Sequence, residues 1–316
     1  MIKLIDNNIQ SKLTIESFIN KITKNDKVTF STSGTTGTPK KITHLVDTLN
    51  KHIKDDNSKT VWGLTYEHTK IAGSQVILQA YKNNNTLVNL YNKSDKEISK
   101  LIIEHNVTHL SGTPTFYRLN FRDEIFNNVL QVTLGGEVVT KEIINHVKHI
   151  FPNAKVTNIY ALTEYGSLLT SQTHTFKLTN RTSKFIKIKN DTLYVYFNQT
   201  WNNTGDVVEL NKDNSFSIIG RKSSMINVGG QKVNPYIIEN KLNTIKGVIS
   251  SKIYGKKNSL IGNLVAADVV LEKNTELSQI KKQLREILKP YEIPRIIQIV
   301  ENLEINKTGK ISRTNE

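Results

Sequence analysis

The sequence predicts an α/β protein with a large N-terminal domain, a small β-rich segment and a small α+β domain at the C-terminus. Three observations predict this fold class. In the first half of the chain, short apolar runs alternate with helical patterns of about ten residues, which is typical of βαβ units around a mainly parallel sheet. From Phe176 to about Ser217, strand patterns follow one another without helices. Mixed helical and strand patterns then fill about a hundred residues to the C-terminus.

Each element of the large domain follows from its local pattern. Apolar residues at helical spacing predict a short amphipathic helix over residues 13–23, alternation predicts a strand over 27–30, and a helix is expected across 44–54. Apolar runs bounded by polar residues predict the strands of the parallel sheet, over residues 61–64, 86–90, 107–110, 129–134 and 156–160, with helices over 95–105 and 140–150. Ligands of such sheets bind beyond the carboxyl ends of the strands.

The second half of the chain gives shorter elements. Its patterns predict strands over residues 185–188, 192–197, 207–210, 247–254, 262–271 and 296–300, and helices over 235–242 and 276–288. A polar joint at residues 220–224 separates the β-rich segment from the C-terminal module. We therefore place a domain boundary at residues 220–224, between a large domain over residues 1–219 and a smaller domain over 225–316.

Composition narrows the possible functions. The 316 residues include 43 Lys and Arg against 28 Asp and Glu, a formal net charge of +15. The lysines are spread along the chain without a basic block, which favours a solvated lysine-rich surface over nucleic-acid binding. The absence of cysteine excludes disulfides and thiolate metal sites. No leader pattern and no apolar run near about 18 residues is found, so we expect a cytoplasmic protein without a membrane partner.

The loop after the first predicted strand is the strongest chemical signal. Residues 31–41 contain six hydroxyl side chains, two glycines and two lysines. Glycine lets backbone N–H groups approach an anion, hydroxyls donate hydrogen bonds, and lysine adds charge, so the loop suits a polyphosphate. It lacks the spacing of a Walker A loop, and an ordinary surface loop is the alternative interpretation. The candidate phosphate-binding residues are Ser33, Gly34, Thr35, Thr36, Gly37 and Lys40.

Five further segments follow this loop in a characteristic order. They are Gly135–Glu137, Asn158–Glu164, Thr204–Asp206, Gly220–Glu239 and Asn306–Arg313. With the loop, they give the chain a resemblance to the adenylate-forming superfamily of acyl-CoA synthetases, adenylation domains of nonribosomal peptide synthetases and luciferase. The resemblance runs from Ser31 nearly to the C-terminus. Thirty residues precede Ser31, fewer than members of the superfamily usually have there.

The resemblance implies a two-step ligase. A carboxylate would attack the α-phosphorus of ATP in the presence of Mg²⁺, releasing pyrophosphate. The thiol of coenzyme A or of a carrier protein's phosphopantetheine would then displace AMP from the acyl-adenylate. The implied partners are a small carboxylic acid, an acyl or peptidyl carrier protein, and a complementing N-terminal subunit if the chain is one half of a split enzyme. A catalytically weak nucleotide-binding or scaffold paralogue is the alternative.

The resemblance also assigns roles in the first step. Thr163 and Glu164 match the pair that contacts phosphate and holds Mg²⁺, which prefers carboxylate oxygen and substrate phosphates. Lys310 matches the lysine that contacts the carboxylate and the α-phosphate in the transition state. Asp206 and Arg221 would bind the ribose and the phosphate. The remaining nucleotide-binding candidates, around the adenine, are Gly136, Glu137, Asn158, Tyr160 and Ala161.

The second step involves other positions. The resemblance implies that residues 220–224 are a hinge and that residues 225–316 are a mobile lid domain. Ser223 stands where relatives carry the hinge residue, usually an aspartate. Gly229 and Gly230 match a loop that lines the thiol tunnel, although a glycine pair is also typical of a hairpin turn. His68 falls where CoA-ligase relatives often carry a histidine near the acyl pocket, and a structural histidine is the alternative.

Overall fold

The computed structural model describes residues 2–31, 41–51, 53–56 and 59–313. Within these ranges the chain forms two compact units. The first comprises residues up to Thr173 together with Asn306–Lys310, and the second comprises His174–Ile305 with the residues from Ile311 onward. The loop at 306–310 therefore belongs to the first unit, although it is close to the C-terminus.

A seven-stranded sheet is the centre of the first unit. Its strand order is β1-β5-β4-β6-β7-β8-β9, and every neighbouring pair is parallel except β8 with β9. The predicted parallel sheet is thus confirmed, with β1 and the antiparallel β9 as two further strands that were not predicted. The strands are β1 (Lys3–Ile5), β4 (Val61–Leu64), β5 (Thr86–Asn89), β6 (His109–Gly112), β7 (Gln131–Gly135), β8 (Lys155–Leu162) and β9 (Gly166–Ser171).

Helices connect these strands, and hydroxyl side chains begin three of them. Ser94, Thr113 and Thr140 accept a hydrogen bond from a backbone N–H in the first turn of the helix that follows each of them, as N-cap residues do. The helices of this unit are α1 (Ile9–Lys24), α2 (Val46–Asn50), α3 (Ile71–Lys82), α4 (Asp95–Glu104), α5 (Pro114–Asn120) and α6 (Lys141–Ile150).

The helix expected across residues 44–54 was wrong for its first part. Residues 41–45 form β3 (Lys41–Leu45), which pairs antiparallel with β2 (Lys27–Ser31) in a separate two-stranded sheet. Burial alternates along β3, and His44 is turned inward against Phe30, with 5.9 Å between the ring centroids. Only Val46–Asn50 is helical. Cross-strand pairing therefore overrides the local helical pattern.

The second unit contains two sheets. The first is antiparallel, in the order β10-β14-β13-β12-β11; the second is β16-β15-β18-β17 with β19 parallel to β18. These strands and the helices α7 and α8 confirm the predicted β-rich segment and α+β module. The elements are β10 (Phe176–Lys177), β11 (Ile186–Lys189), β12 (Thr192–Phe197), β13 (Thr200–Leu210), β14 (Ser215–Arg221), β15 (Ile226–Val228), β16 (Gln231–Val233), α7 (Pro235–Asn243), β17 (Val248–Asn258), β18 (Gly262–Leu271), α8 (Leu277–Ile287) and β19 (Ile296–Ile299).

The β-rich segment and the C-terminal module form one compact unit, whereas the sequence predicted the segment to be part of the large domain. One close contact between these two parts is at Gly220, where a side chain would lie 2.7 Å from the ring of Tyr236 in α7. The domain boundary and the hinge at 220–224 stay predictions. None of the helices in the described ranges is long and apolar enough to cross a membrane.

Aromatic side chains fill the core between α5, α6 and the sheet. Phe121 is 1% exposed, and its ring meets those of Phe126 and Phe151 at centroid distances of 5.5 and 5.1 Å. Tyr117, also buried, donates from its hydroxyl to the carbonyl of Thr133 in β7. This packing fixes α5 against the strand whose carboxyl end carries Gly136.

We expect Phe121→Ala to lower the free energy of unfolding by about 3–5 kcal/mol, because the truncation leaves a cavity among these rings. Ile125→Ala is the control, since Ile125 is 55% exposed and its loss should change stability by less than about 0.5 kcal/mol. Urea denaturation of both variants measures the two effects. Equal losses would contradict the assignment of this cluster as the core.

Candidate functional site

The site is built at the carboxyl ends of parallel strands. The strands β4, β6, β7 and β8 run in the same direction, so the segments that follow them meet along one edge of the sheet. Thr65 donates a short hydrogen bond to the carbonyl of Ser111, which joins the segment after β4 to strand β6. The segments contain the predicted residues Gly136, Glu137, Thr163 and Glu164, and Lys310 lies among them.

Lys310 lies against Gly136. A side chain at Gly136 would begin 3.1 Å from Cε of Lys310, which is tighter than ordinary van der Waals contact, and 3.7 Å from its Nζ. Gly136 also has a φ of +83°, a conformation that L side chains rarely adopt. The structure therefore brings together two residues that are 174 positions apart and that the sequence had assigned to one site.

A compact turn presents Lys310 to this edge. The side-chain oxygen of Asn306 accepts hydrogen bonds from the backbone N–H groups of Thr308 and Lys310, at 2.9 and 3.3 Å. The backbone N–H of Asn306 donates to the carbonyl of Lys310, which closes the turn. Between them, the carbonyl of Gly309 accepts a hydrogen bond of 2.5 Å from the hydroxyl of Thr113.

Glu137 has a structural partner in addition to its predicted place beside the nucleotide. Its Oε2 accepts a hydrogen bond of 2.9 Å from the backbone N–H of Thr115 in the first turn of α5. Nearby, burial raises the pKa of the Tyr66 hydroxyl well above its ordinary value, with Glu137 adding to the rise. Tyr66 is therefore neutral at physiological pH. Glu137 joins the segment after β7 to the segment after β6.

Thr163 and Glu164 lie at the tip of the β8–β9 hairpin, and the Glu164 side chain is exposed. The ring of His44, in β3, donates from Nε2 to the carbonyl of Thr163 at 2.7 Å. His44 is only 9% exposed. Sequence reasoning missed this residue, because a histidine expected in a surface helix carries no signal of a partner 119 positions away.

The remaining adenine-pocket candidates lie on β8. Asn158 is buried, and its amide donates to the carbonyl of Thr173 at 3.1 Å. Tyr160 is also buried, on the same face of the strand, whereas Ala161 is exposed. Asn158 therefore holds the end of β9 in place, and the contacts predicted for the three residues with adenine stay predictions.

His68 lies beyond the carboxyl end of β4, half-buried, with its ring edge-on to Phe18 at 5.4 Å between centroids. Burial lowers the pKa of His68 below its ordinary value, and the nearby Glu67 opposes the change only in part. The imidazole is therefore neutral at pH 7 and can act as a hydrogen-bond donor and acceptor. Its predicted role near the acyl group stays a prediction.

Other predicted residues lie in the second unit. Asp206 is 4% exposed, and Arg221 donates from Nε to its Oδ1 at 2.9 Å. The structure thus brings together the two residues predicted to bind ribose and phosphate. Ser223 is exposed in a short 3₁₀ turn, and Gly229 and Gly230 form the β15–β16 hairpin turn with φ values of +56° and +87°.

The predicted phosphate loop lies outside the described residues. This applies to Ser33, Gly34, Thr35, Thr36, Gly37 and Lys40. The two strands that flank them, β2 and β3, are described, and β3 carries His44. The hydrogen bond from His44 to Thr163 therefore joins β3 to the predicted metal-binding pair.

The fold is that of the adenylate-forming enzymes, and sequence comparison agrees. The profile of the AMP-binding enzyme family matches residues 20–188, more than half of the chain, and the profile of the AMP-binding enzyme C-terminal domain matches residues 237–310. The chain belongs to the AMP-binding enzyme family.

Individual relatives are distant. The chain is 23% identical to 4-hydroxybutyrate–CoA ligase 2 of Metallosphaera sedula, over 90% of this chain and 62% of the relative. It is also 23% identical to 2-succinylbenzoate–CoA ligase of Staphylococcus aureus, over 89% of this chain and 65% of the relative. It spans about half to two thirds of the length of the curated relatives that it matches.

A solved structure has the same fold. O-succinylbenzoate coenzyme A synthetase from Bacillus subtilis, in complex with ATP and a magnesium ion, matches with a TM-score of 0.66 and 20% identity, over 90% of this chain and 68% of that chain. At this identity the match establishes the fold.

We expect His44→Ala to destabilise the Thr163–Glu164 turn. Removing the donor leaves the carbonyl of Thr163 without this partner, at a cost of about 1–3 kcal/mol. Hydrogen exchange measured by mass spectrometry should show faster exchange in residues 161–167. His44→Gln is the matched variant, because its amide can donate to the same carbonyl and should restore part of the protection. Unchanged exchange in His44→Ala would contradict the role.

We expect His68 to make the protein less stable in acid. Because the pKa of His68 is lower in the folded state than its ordinary 6.5, the unfolded chain binds more protons, so stability is full above about pH 6.5 and falls as pH drops through the folded pKa. His68→Gln should lose less stability than the wild type between pH 7 and pH 5 in thermal denaturation. The exposed His149, replaced by glutamine, is the control.

Proposed function

We propose that the chain is an AMP-forming ligase, which activates a small carboxylic acid with ATP as an acyl-adenylate and transfers the acyl group to a thiol. One observation carries the proposal, the position of Lys310 against Gly136 at the carboxyl edge of the parallel sheet. At this position Lys310 would contact a nucleotide that is bound by the loops of the same edge.

The first step needs a cation at the reacting centre. The carboxylate oxygen attacks the α-phosphorus, the bond from the α-phosphorus to the bridging oxygen breaks, and pyrophosphate leaves. Negative charge accumulates on the phosphoryl oxygens during this exchange, and the ammonium group of Lys310 would stabilise it. The close approach at Gly136 limits the positions that the lysine stem can take, so its charge is pre-positioned.

The residues present fit a magnesium ion held with the nucleotide. In the described ranges, no three His, Asp or Glu side chains lie close enough together to hold a metal by themselves. Mg²⁺ in nucleotide sites is typically bound by one or two carboxylates and the substrate phosphates. The exposed Glu164 would be that carboxylate, with Thr163 beside it at the turn that His44 supports. The ion would offset phosphate charge.

The identity of the acceptor is inferred from the relatives. The named relatives are coenzyme A ligases of 4-hydroxybutyrate and 2-succinylbenzoate, which supports coenzyme A as the thiol and a small organic acid as the substrate. In this proposal Asp206 and Arg221 bind the ribose and phosphate, Ser223 lies at the hinge, His68 lies near the acyl group, and Gly229 and Gly230 leave space for the pantetheine arm. A carrier-protein acceptor remains the alternative to free coenzyme A.

The proposal predicts that Lys310→Ala slows pyrophosphate release by about 10²–10³-fold, the loss usual for one group that stabilises transition-state charge. The assay mixes the protein with MgATP and each of 2-succinylbenzoate, 4-hydroxybutyrate, benzoate and octanoate, with and without coenzyme A. Lys307→Ala is the control, because Lys307 is an exposed lysine of the same turn. Glu164→Ala should raise the Mg²⁺ concentration required for half-maximal release.

Nucleotide binding without turnover would favour the scaffold alternative. This outcome would be ATP binding in calorimetry together with no acid-dependent pyrophosphate release from any of the four acids. Release that requires a second polypeptide would instead indicate a split enzyme.

A further inference from the structure

The hydroxyl of Thr113 connects two distant parts of the site. We propose that Thr113 is a positioning residue that holds the turn Asn306–Lys310, and thereby Lys310, at the carboxyl edge of the sheet. The catalytic consequence of this holding rests on the function proposed above, whereas the holding itself can be tested without it.

The hydrogen bonds of Thr113 leave no ambiguity about their direction. Its Oγ1 accepts from the backbone N–H of Phe116 at 3.0 Å and donates to the carbonyl of Gly309 at 2.5 Å. A carbonyl oxygen can only accept, so the single hydroxyl proton must point at Gly309. Thr113 is 1% exposed, which shields both bonds from water. The side chain that caps α5 thus donates its single hydroxyl proton to a residue 196 positions later.

The turn transmits this contact to Lys310. Gly309 has a φ of +74°, and a side chain there would begin 3.6 Å from Cγ2 of Thr113 and 3.9 Å from the ring of Tyr66. Its backbone N–H donates to the carbonyl of Asn306, and the backbone N–H of Asn306 donates to the carbonyl of Lys310. Gly309, whose carbonyl Thr113 holds, is therefore hydrogen-bonded to Asn306, and Asn306 is in turn hydrogen-bonded to the next residue, Lys310.

Capping of α5 explains only half of this arrangement. Thr140 caps α6 with the same chemistry, accepting from the backbone N–H of Ile143 at 3.4 Å. The cap role needs an acceptor and is filled equally well by other N-cap residues. The bond to Gly309 needs a donor, which valine lacks and serine retains. Thr140→Val therefore removes a cap alone, whereas Thr113→Val removes a cap and the contact with Gly309.

The direct test is the chemical reactivity of Lys310. The full-length protein is treated briefly with acetic anhydride, digested with the protease Glu-C, and the acetylation of Lys310 and Lys307 is measured by mass spectrometry. Lys307 is exposed in the same turn and serves as the internal reference. We expect Thr113→Val to raise the ratio of Lys310 to Lys307 labelling by about tenfold, the effect of one lost hydrogen bond that leaves its acceptor unpaired.

Two further variants decide the interpretation. Thr113→Ser should return the labelling ratio toward the wild-type value, and Thr140→Val should leave the ratio unchanged although it also lowers the melting temperature. An unchanged ratio in folded Thr113→Val, or an equal rise in Thr140→Val, would overturn the proposal. If Thr113→Val does not fold, Thr113→Ala, examined below its melting temperature, takes its place with the same expected rise.

Activity measurements separate this inference from the proposed function. With whichever of the four acids supports pyrophosphate release, Thr113→Val should lower kcat by about tenfold with little change in the KM for ATP, because the lysine acts in the transition state. A changed labelling ratio in a protein that releases no pyrophosphate would support the positioning role and reject the ligase. Pyrophosphate release with an unchanged labelling ratio would support the ligase and reject the positioning role.

Discussion

The close approach of the Lys310 side chain to Gly136 is the constraint on which the rest of the site depends. The lysine stem occupies space that any side chain at position 136 would need, and the backbone there has a positive φ. Both conditions select glycine at the carboxyl end of β7. The position of β7 is in turn fixed by its parallel neighbours and by the aromatic core beneath α5. Packing in the aromatic core therefore limits where the side chain of Lys310 can lie.

The second compact unit includes the residues that precede and follow the turn at 306–310 in the chain, and these residues pair with one another. Ile305 and Ile311 form an antiparallel bridge, and the backbone N–H of Ser312 donates to the carbonyl of Glu304. Arg313 then pairs with the buried Glu239 at 2.6 Å and lies over the ring of Tyr236. Removing one partner of such a pair is strongly destabilising, because it leaves the other charge buried and uncompensated.

Much of the fold was predictable because it depends on local periodicity. The strands at 61–64 and 86–90 and the C-terminal helix at 276–288 agree with the structure to within a residue or so. One exception is β3, for which the sequence predicted a helix although it pairs with β2, because pairing between strands is not visible in the sequence of one strand alone. The sequence predicted Gly136 and Lys310 through matched motifs, and the structure places them side by side. It did not indicate His44 and Thr113, which lie outside the matched segments and whose hydrogen-bond partners are more than a hundred positions away.

The residues that were missed share one chemical property, which explains why they suit their positions. His44 and Thr113 are buried side-chain donors, and each holds a backbone carbonyl of a loop that carries a charged group, Glu164 or Lys310. The hydroxyl of Thr113 carries no charge, so it holds the carbonyl of Gly309 without placing a second charge beside Lys310. The contact that orients the turn and the charge that the turn presents are therefore supplied by separate residues.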